Sequence, residues 1–525
     1  MTQPGREAGS FSGRLLRLEP LVVAGVIAVA ALARFVSLST RGMWDSDQGH
    51  DMLVLTSLVR DGVVPLVGPP TSIGDFHHGA LYYYLLAPAA AISGADPLAV
   101  VALIAAGGMA AVAAVWWLAR SIGGPIAGLA AGLLMAVSAS AIEESTFIWN
   151  PNLVAVSSSV AFAAAWRAWT TWRVRWWLVA AAALAITMQL HVLGAVLLVP
   201  FAGLLVADAR RTSEADRSSV WQVALAAIAI IVLSYLPLLA SELTRGFPET
   251  RAVVAFVTAG GSSEPAALNP LVRVVVVAVR ALSWPLTGLI TTAPIAAIVA
   301  AATVTGILAW RARSDAPRER RGVAWFAAIL AWSIVALAIA APSLATVVEG
   351  LPNDHYHAFL DPIVFVVAAL GIAALWRTGA IGRVAGAATL VFICGFNIAT
   401  WPPAVASDGG WPAAESAGRR IIASVGSDQI VLLGLPTFKP ADAYGYPLAR
   451  LDHPVSLLQD LIGPVDGFTL VIPCDRLFES VMAARCGGPA EDAAAANLQS
   501  GWQLVYRFDA SPRTSISIYK RPAGS

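Results

Sequence analysis

The chain has 525 residues, of which 57% are hydrophobic and 13% charged, and its mean hydropathy is +0.70. Soluble globular proteins have about 25% charged residues, so the composition excludes a soluble enzyme and a disordered chain. The net charge of +1 excludes a nucleic-acid binder, and three cysteines exclude a disulfide scaffold or a cysteine-based zinc domain.

Long apolar runs recur along the chain, and about 20 apolar residues suffice for a helix to cross a bilayer. The first run follows three arginines and is interpreted as an uncleaved signal anchor, because further spans follow it. The pattern predicts an all-α polytopic membrane protein with about eleven transmembrane helices, near residues 20–38, 98–119, 124–141, 152–172, 176–190, 193–207, 221–240, 285–309, 323–346, 358–376 and 384–402.

Arginine is concentrated in alternate loops between these spans, whereas the remaining loops contain acidic residues such as Glu143 and Glu144. The positive-inside rule places the arginine-rich loops and the N-terminus in the cytoplasm, and residues 401–525 outside. The arginines that fix this orientation are Arg167, Arg173, Arg175, Arg210, Arg211, Arg217, Arg311, Arg313, Arg318, Arg320, Arg321, Arg377 and Arg383.

Two apolar segments are predicted to lie outside the bilayer core, within outer loops at 39–97 and 241–284. Segment 79–93 is short and contains three tyrosines, which prefer the interface, so it is interpreted as a juxtamembrane helix. Segment 271–283 has two arginines on one helical face and is predicted to lie along the outer surface. The pair 176–190 and 193–207 is either two short spans or a broken helix.

In residues 401–525 short β-like and helix-like runs replace the long apolar runs. This pattern predicts a small α/β domain outside the membrane, following a transmembrane domain at 1–400. Its β-like runs lie at 429–435, 468–473 and 514–519, and its helix-like runs at 415–425, 455–462 and 476–485. Cys474 and Cys486 predict a disulfide because this domain faces an oxidising compartment, while Cys394 is predicted to be a free, buried thiol.

The densest polar cluster follows the first span and contains Asp45, Asp47, His50 and Asp51. A carboxylate at the outer membrane face suits general-base chemistry on a polar head group. Partial burial beside Trp44 would raise its pKa toward a useful range. The alternative is a solvated acidic loop that only fixes topology.

All seven histidines fall on the predicted outer side, which allows a divalent metal site as one interpretation. Asp47 and His78 are its candidate ligands. Asp45, His77, His355 and His357 are further donors, although no spacing is a recognised ligand motif. Hydrogen-bonding histidines at the interface are the alternative.

Other polar groups accompany the helix ends. Asn150 or Asn152 can cap the helix that follows Pro151. Gln189 and His191 lie near membrane depth, where polar groups usually face a cavity or another helix. The second outer loop contains four arginines, whose guanidinium groups are suited to binding phosphate oxygens. The alternative is that they extend to lipid head groups at the membrane surface. They are Arg245, Arg251, Arg273 and Arg280.

Taken together, these motifs resemble those of the GT-C fold glycosyltransferases of the protein-mannosyltransferase and aminoarabinose-transferase kind (glycosyltransferase family 39-like). Residues 47–51 match an Asp-Gln-x-x-Asp motif, and the resemblance extends over about residues 15–400. Gln48 replaces a second acid and Ala80 replaces a proline of the family pattern. The other matching stretches are 68–72, 79–84, 149–152, 189–191, His355-Tyr356 and Asp361-Pro362.

The resemblance implies transfer of a hexose or pentose from a polyprenyl-phosphate sugar to a glycan, lipid or protein acceptor, at the outer face of a bacterial inner membrane. It implies Asp47 as the base, with Asp45 as the fallback, and a single displacement that inverts the anomeric centre. The resemblance requires no cofactor, and the divalent metal ion described above stays an open alternative. Rival functions are a lipid-linked-sugar transporter or flippase and a non-catalytic envelope-assembly protein. The substrate-binding candidates are Gln48, Asp51, His77, His78, Tyr82, Tyr83, His191, Arg245, Arg280, His355 and Tyr356.

Overall fold

The structure is a computed structural model that describes residues 5–71, 74–258, 268–345, 354–461 and 467–521. It confirms the predicted class, since a bundle of apolar helices is followed by one small sheet. The helices up to residue 400 are Gly5–Phe35, Leu38–Arg41, Ser46–Thr56, Leu81–Ser93, Pro97–Gly123, Pro125–Val137, Ala139–Glu143, Val154–Thr171, Trp176–Leu190, Leu198–Arg211, Glu214–Ser234, Leu236–Arg245, Pro248–Thr258, Pro270–Thr287, Pro294–Arg311, Pro317–Ala340, Asp361–Trp376 and Ala380–Ala399.

Within the described ranges, nine helical stretches are long and apolar enough to cross a membrane. Three further apolar helices are shorter: Leu81–Ser93, Pro125–Val137 and Trp176–Leu190. The count of eleven spans therefore stays a prediction. The Asp361–Trp376 helix forms the centre of the bundle, because every residue from Asp361 to Ala374 is buried. A helix that is apolar on all sides is suited to that position.

Two predicted boundaries are wrong. A single span at 285–309 is not formed, because the Pro270–Thr287 helix ends at Gly288, which has φ 68°, and the next helix begins at Pro294. Segment 271–283 does not lie along the surface over its whole length, since Arg280–Leu286 are buried against neighbouring helices. The apolar run crosses the turn without interruption, so hydropathy alone merges the two helices.

The structure gives the helix ends of the two ambiguous segments, and whether each segment crosses the membrane stays a prediction. The Trp176–Leu190 helix stops before His191, and a 3₁₀ turn at Val192–Leu197 leads into the Leu198–Arg211 helix. The Leu81–Ser93 helix has 13 residues, well below the length of a span, in agreement with a juxtamembrane helix.

Two loops of the predicted cytoplasmic side meet at one end of the bundle. Glu319 accepts Arg311 Nε at 2.7 Å and Arg377 Nη2 at 3.0 Å, which joins two arginine-rich loops through one buried carboxylate. This grouping agrees with the predicted orientation of the membrane domain, which stays a prediction.

The C-terminal region is an α/β unit with five strands: β1 Ile430–Leu432, β2 Val455–Leu457, β3 Thr469–Asp475, β4 Gln503–Asp509 and β5 Thr514–Lys520. The sheet order is β2-β1-β3-β5-β4, with β1 parallel to β2 and β3, and β5 antiparallel to β3 and β4. Its helices are Gly410–Val425, Asp442–Arg450, Glu479–Met482 and Pro489–Leu498.

The structure confirms the three predicted strands of this region and also contains elements that were not predicted. Residues 455–462 were expected to be helical, but Val455–Leu457 pair with β1, because neighbouring strands override local propensity. In 476–485 only a 3₁₀ turn and the short Glu479–Met482 helix form. Strand β4 and the Asp442–Arg450 and Pro489–Leu498 helices have no counterpart in the predicted set.

The cysteines are arranged largely as expected. Cys474 at the end of β3 is bonded to Cys486, which confirms the predicted disulfide. Cys394 is free, but it is half-exposed on the Ala380–Ala399 helix and not fully buried as predicted.

The C-terminal domain packs on the loop after the first membrane helix. The backbone N–H of Trp44 donates to Asp408 at 2.8 Å, and its indole Nε1 donates to the Ala443 carbonyl at 2.8 Å. The indole also contacts the rings of Trp411 and Tyr446, at centroid distances of 4.6 and 5.7 Å. The acidic cluster next to Trp44 is therefore held by both domains.

Candidate active site

The acidic cluster is organised by a capping box at the start of the Ser46–Thr56 helix. Asp45 Oδ1 accepts from the Asp47 amide at 3.2 Å, and Gln48 Oε1 accepts from the Asp45 amide at 2.9 Å. Gln48 Nε2 also donates to the Ile148 carbonyl at 2.8 Å. Both the oxygen and the nitrogen of the Gln48 amide are thus bonded to backbone groups, which explains why an amide is suited to this position.

Asp47 differs from its neighbours, since its carboxylate makes no hydrogen bond or ion pair with the described residues. The Asp47 side chain is exposed to the cavity, but the surrounding protein removes enough water to raise its pKa to about 6, and the charge of Asp45 adds to the effect. Lys439 and His50 oppose the shift. A carboxylate with this pKa is ionised at neutral pH and is more basic than an ordinary aspartate, as a general base requires.

Asp51 has a different environment, because both of its oxygens accept phenolic hydrogen bonds. Tyr82 donates at 2.7 Å and Tyr83 at 2.9 Å, and all three side chains are buried. Burial raises the pKa of Asp51 to about 7. These contacts favour a role in holding the Leu81–Ser93 helix against the acidic loop.

A cavity of about 440 Å³ lies beside Asp47, within the range usual for small-molecule sites. It is enclosed by the acidic loop, the Ala139–Trp149 segment, the end of the Pro270–Thr287 helix, the Asp354–His355 pair and the C-terminal domain. Burial raises the pKa values of Glu143 and Glu144 in its wall. Its charged lining residues are Asp45, Asp47, Glu143, Glu144, Asp354, Lys439 and Arg513.

Both cations of the cavity wall come from the C-terminal domain. Lys439 Nζ lies 2.7 Å from Asp45 Oδ2 and 3.7 Å from Asp475 Oδ2. The Arg513 guanidinium donates two hydrogen bonds to the Asp475 carboxylate, at 2.8 and 2.6 Å, and lies 4.0 Å from Asp45 Oδ2. Sequence reasoning missed both residues. The one available signal was that Lys439 is one of two lysines in the chain.

The predicted phosphate-binding arginines lie elsewhere. Arg280 donates to both oxygens of Asp354, at 3.0 and 2.7 Å, and to the Leu344 carbonyl at 2.7 Å. It is buried, and His357 Nε2 lies 3.1 Å from the same Asp354. Arg245 lies at the exposed end of the Leu236–Arg245 helix. Neither lines the cavity that the described residues form.

The histidine candidates form a buried aromatic cluster. The His191 ring lies 5.1 Å from His78, 5.7 Å from His355 and 5.4 Å from Tyr356. Burial, with His191 nearby, holds the pKa of His78 well below its usual value, and its Nδ1 accepts from the Val192 amide at 3.2 Å. His355 lines the cavity and packs on Trp149 at 4.4 Å.

The remaining polar candidates bind backbone or neighbouring helices. His77 pairs with Glu249 of the Pro248–Thr258 helix, whose carboxylate lies 2.9 Å from its Nδ1. Gln189 Nε2 donates to Ser234 Oγ at 2.9 Å. Asn150 and Asn152 donate through Nδ2 to the carbonyls of Leu190 and Phe147. Neither the 3₁₀ turn at Asn150–Leu153 nor the Val154–Thr171 helix has a side-chain cap, so the capping prediction is wrong.

The residues suggested as metal ligands do not converge. In the part of the chain that the structure describes, no group of three or more His, Cys, Asp or Glu side chains is placed to hold a metal ion. Asp47 lines the cavity, whereas His78 is packed against His191 and Val192. This donor arrangement does not fit a divalent ion, and no step below involves one.

An apolar groove of about 580 Å³ adjoins this site. It lies between the Pro294–Arg311, Asp361–Trp376 and Ala380–Ala399 helices, and its lining contains no charged residue. Leu286 and Thr287 close one end, and Thr287 also lines the polar cavity. The polar site and the apolar groove therefore meet at the end of the Pro270–Thr287 helix.

The helical membrane bundle, with an acidic loop after its first helix, has the GT-C fold, as comparison with solved structures confirms. The sequence profile of the dolichyl-phosphate-mannose-protein mannosyltransferases matches residues 77–236. No curated protein sequence matches the chain.

The fold is similar to that of ArnT, and an archaeal oligosaccharyltransferase is less similar. ArnT from Cupriavidus metallidurans in the apo state has a TM-score of 0.52 at 16% identity, covering 94% of this chain and 97% of that chain. The same protein bound to undecaprenyl phosphate has a TM-score of 0.52 at 15% identity, with the same coverage. The Archaeoglobus fulgidus oligosaccharyltransferase in complex with Zn and sulfate has a TM-score of 0.49 at 14% identity, covering 87% and 68%.

Proposed function

We propose that this protein is a membrane glycosyltransferase that moves a sugar from a polyprenyl-phosphate donor to a hydroxyl acceptor at the outer face of the cytoplasmic membrane. The acceptor is a glycan, a lipid or a protein. The observation that carries the proposal is Asp47, an ionisable carboxylate with a pKa of about 6 in the wall of a ligand-sized cavity. The GT-C fold gives this arrangement its functional context.

The apolar groove supports a lipid-linked donor. Its walls are helices that are long and apolar enough to cross a membrane, so a hydrocarbon chain can lie there without leaving the bilayer. Thr287 borders both spaces, so a chain in the groove would have its head group in the cavity beside Asp47. ArnT has been solved with undecaprenyl phosphate bound, which is a ligand of this class.

The proposed reaction is a single displacement at the anomeric carbon. The acceptor oxygen forms a bond to that carbon as the bond from the carbon to the phosphate oxygen breaks, and the electron pair leaves with the lipid phosphate. Asp47 takes the hydroxyl proton in the transition state. One displacement inverts the anomeric configuration, by the logic that applies to inverting hydrolases.

Asp45 is less suited to the role of base. Its Oδ1 caps the Ser46–Thr56 helix and its Oδ2 is paired with Lys439 at 2.7 Å. Proton uptake by Asp45 would remove its ion pair with Lys439, whereas proton uptake by Asp47 breaks no contact within the described residues. Asp45 is therefore assigned to positioning the loop.

The test uses purified protein in proteoliposomes, with polyprenyl phosphates that carry radiolabelled hexoses or pentoses and a cell-envelope extract as acceptor. We expect label to move from the lipid to the acceptor fraction with at least one donor, and Asp47→Asn to abolish the transfer. Label that crosses the bilayer while still attached to the lipid, with no transfer from any donor, would instead identify a flippase.

A further inference from the structure

We propose that Lys439 and Arg513 of the C-terminal domain form the binding site for the phosphate of the lipid-linked donor and for the lipid phosphate that leaves. This inference rests on the proposed function and names the residues that recognise the charged part of the donor. It also assigns a role to the C-terminal domain, which lies outside the part of the sequence that resembles the GT-C glycosyltransferases.

The first argument is the charge of the cavity wall. Five carboxylates line the cavity, together with two cationic side chains, Lys439 and Arg513. Lys439 and Arg513 are the charged groups of this lining that attract a phosphate, whereas its ionised carboxylates repel one. Arg280 does not line the cavity, and it is fully buried where it pairs with Asp354, so a phosphate in the cavity cannot reach it.

The second argument is the arrangement of the two cations. Lys439 and Arg513 both contact Asp475 and both lie within 4.0 Å of Asp45. Their charges are therefore held next to one another, and each side chain is partly exposed, at 20% and 15%. Guanidinium and ammonium groups so placed suit two oxygens of one phosphate, the former in a bidentate manner.

The third argument is chemical. When the sugar leaves, the donor phosphodiester becomes a phosphomonoester and gains one negative charge. Preorganised cations stabilise charge that develops in the transition state more than they stabilise the ground state. Asp45 and Asp475 hold the two cations in place before the donor arrives, so that little reorganisation is needed.

The binding test compares two tritiated probes on the purified full-length protein, undecaprenyl phosphate and undecaprenol. The two probes share the lipid tail and differ in the phosphate. We expect the wild type to prefer undecaprenyl phosphate. Lys439→Met and Arg513→Gln should each weaken binding of the phosphate probe by at least about tenfold and leave undecaprenol binding unchanged.

The matched control is Arg419→Gln. Arg419 lies in the same domain but is largely exposed and pairs with Glu415 on its own helix. This variant should bind both probes as the wild type does. Thermal midpoints of all variants, and retention of the Cys474–Cys486 disulfide, show whether the domain is still folded.

A double variant separates ligand binding from simple charge balance. Lys439→Met leaves Asp45 without its nearest cation, and this alone could repel a phosphate. Lys439→Met combined with Asp45→Asn removes both charges. Continued weak binding of undecaprenyl phosphate by the double variant supports direct contact, and recovery to wild-type affinity overturns it. The double variant also serves as the test if the single variant does not fold.

The outcomes also separate this inference from the proposed function. A wild type with no preference for undecaprenyl phosphate over undecaprenol would refute the polyprenyl-phosphate donor and this site with it. A wild type that shows the preference, with both single variants retaining it, would leave the donor class intact and refute the assignment to Lys439 and Arg513.

Discussion

The backbone of Asp442 passes so close to Gly49 that a β-carbon at residue 49 would lie 2.1 Å from the Asp442 carbonyl oxygen. The neighbouring His50 Nδ1 lies 3.1 Å from the Asp442 carboxylate. Glycine is needed here for close approach of two helices, one bearing Asp47 and the other belonging to the C-terminal domain. The relative position of Asp47 and Lys439 therefore depends on this contact.

Replacing this glycine should separate the two domains locally. Gly49→Val forces the Asp442 backbone away, and overpacking of this kind typically costs about 1–3 kcal/mol. We expect a lower thermal midpoint in detergent and reduced sugar transfer. Gly25→Ala is the control, because nothing lies within 4 Å of a β-carbon at Gly25 in the first helix. Equal midpoints for the two variants would contradict the close contact.

Asp47→Asn keeps the shape of the side chain and removes the base. General-base contributions are about 10²–10⁴-fold, so transfer should fall by at least about a hundredfold while undecaprenyl phosphate binding persists. Asp75→Asn, an exposed acid of the same outer loop, should have no effect. Near-normal transfer by Asp47→Asn together with an inactive Asp45→Asn would move the base two residues upstream.

The pH profile of transfer should follow the titration of Asp47. The base acts only when deprotonated, so the rate should be constant above the pKa of about 6 and fall about tenfold per pH unit below it. The charge of Lys439 lowers this pKa, so Lys439→Met should move the midpoint to higher pH. The measurement is the transfer rate at saturating donor between pH 4.5 and 8. An unchanged midpoint in the variant would argue against the Lys439–Asp47 interaction.

The tyrosine pair should matter for stability more than for chemistry. Tyr82→Phe removes the donor to Asp51 Oδ2 and leaves a buried acceptor unsatisfied, which costs about 1–3 kcal/mol. We expect a lower thermal midpoint with the pH midpoint of transfer unchanged. Tyr506→Phe, at a partly exposed position of β4, is the comparison and should not alter the midpoint. A shift in the pH profile with Tyr82→Phe would place Asp51 in the proton transfer.

The orientation is tested with reporter fusions. A reporter inserted within residues 310–322 should be active in the cytoplasm, and one placed after residue 402 should be active outside, because arginine-rich loops are retained inside. Cytoplasmic activity after residue 402 would favour twelve spans over eleven.

Local sequence patterns predict the fold class well and the site only in part. Hydropathy shows most helices, because burial in lipid requires long apolar runs, yet it merges the helices on either side of Gly288. The acidic cluster that contains Asp47 follows the first helix directly in the sequence, so local pattern alone identifies Asp47 as a candidate. Lys439 lies 394 residues from Asp45 along the chain and Arg280 lies 74 from Asp354, so only the folded packing reveals these pairs.

The position of Thr287 between the groove and the cavity has a kinetic consequence under the proposed function. A donor whose tail stays in the groove reaches the enzyme by lateral diffusion within the bilayer. Its effective concentration is then its mole fraction among the membrane lipids, not its amount per volume of suspension. Adding inert phospholipid at a fixed total amount of donor should therefore slow the reaction, whereas diluting the vesicles with buffer should leave the rate per enzyme unchanged.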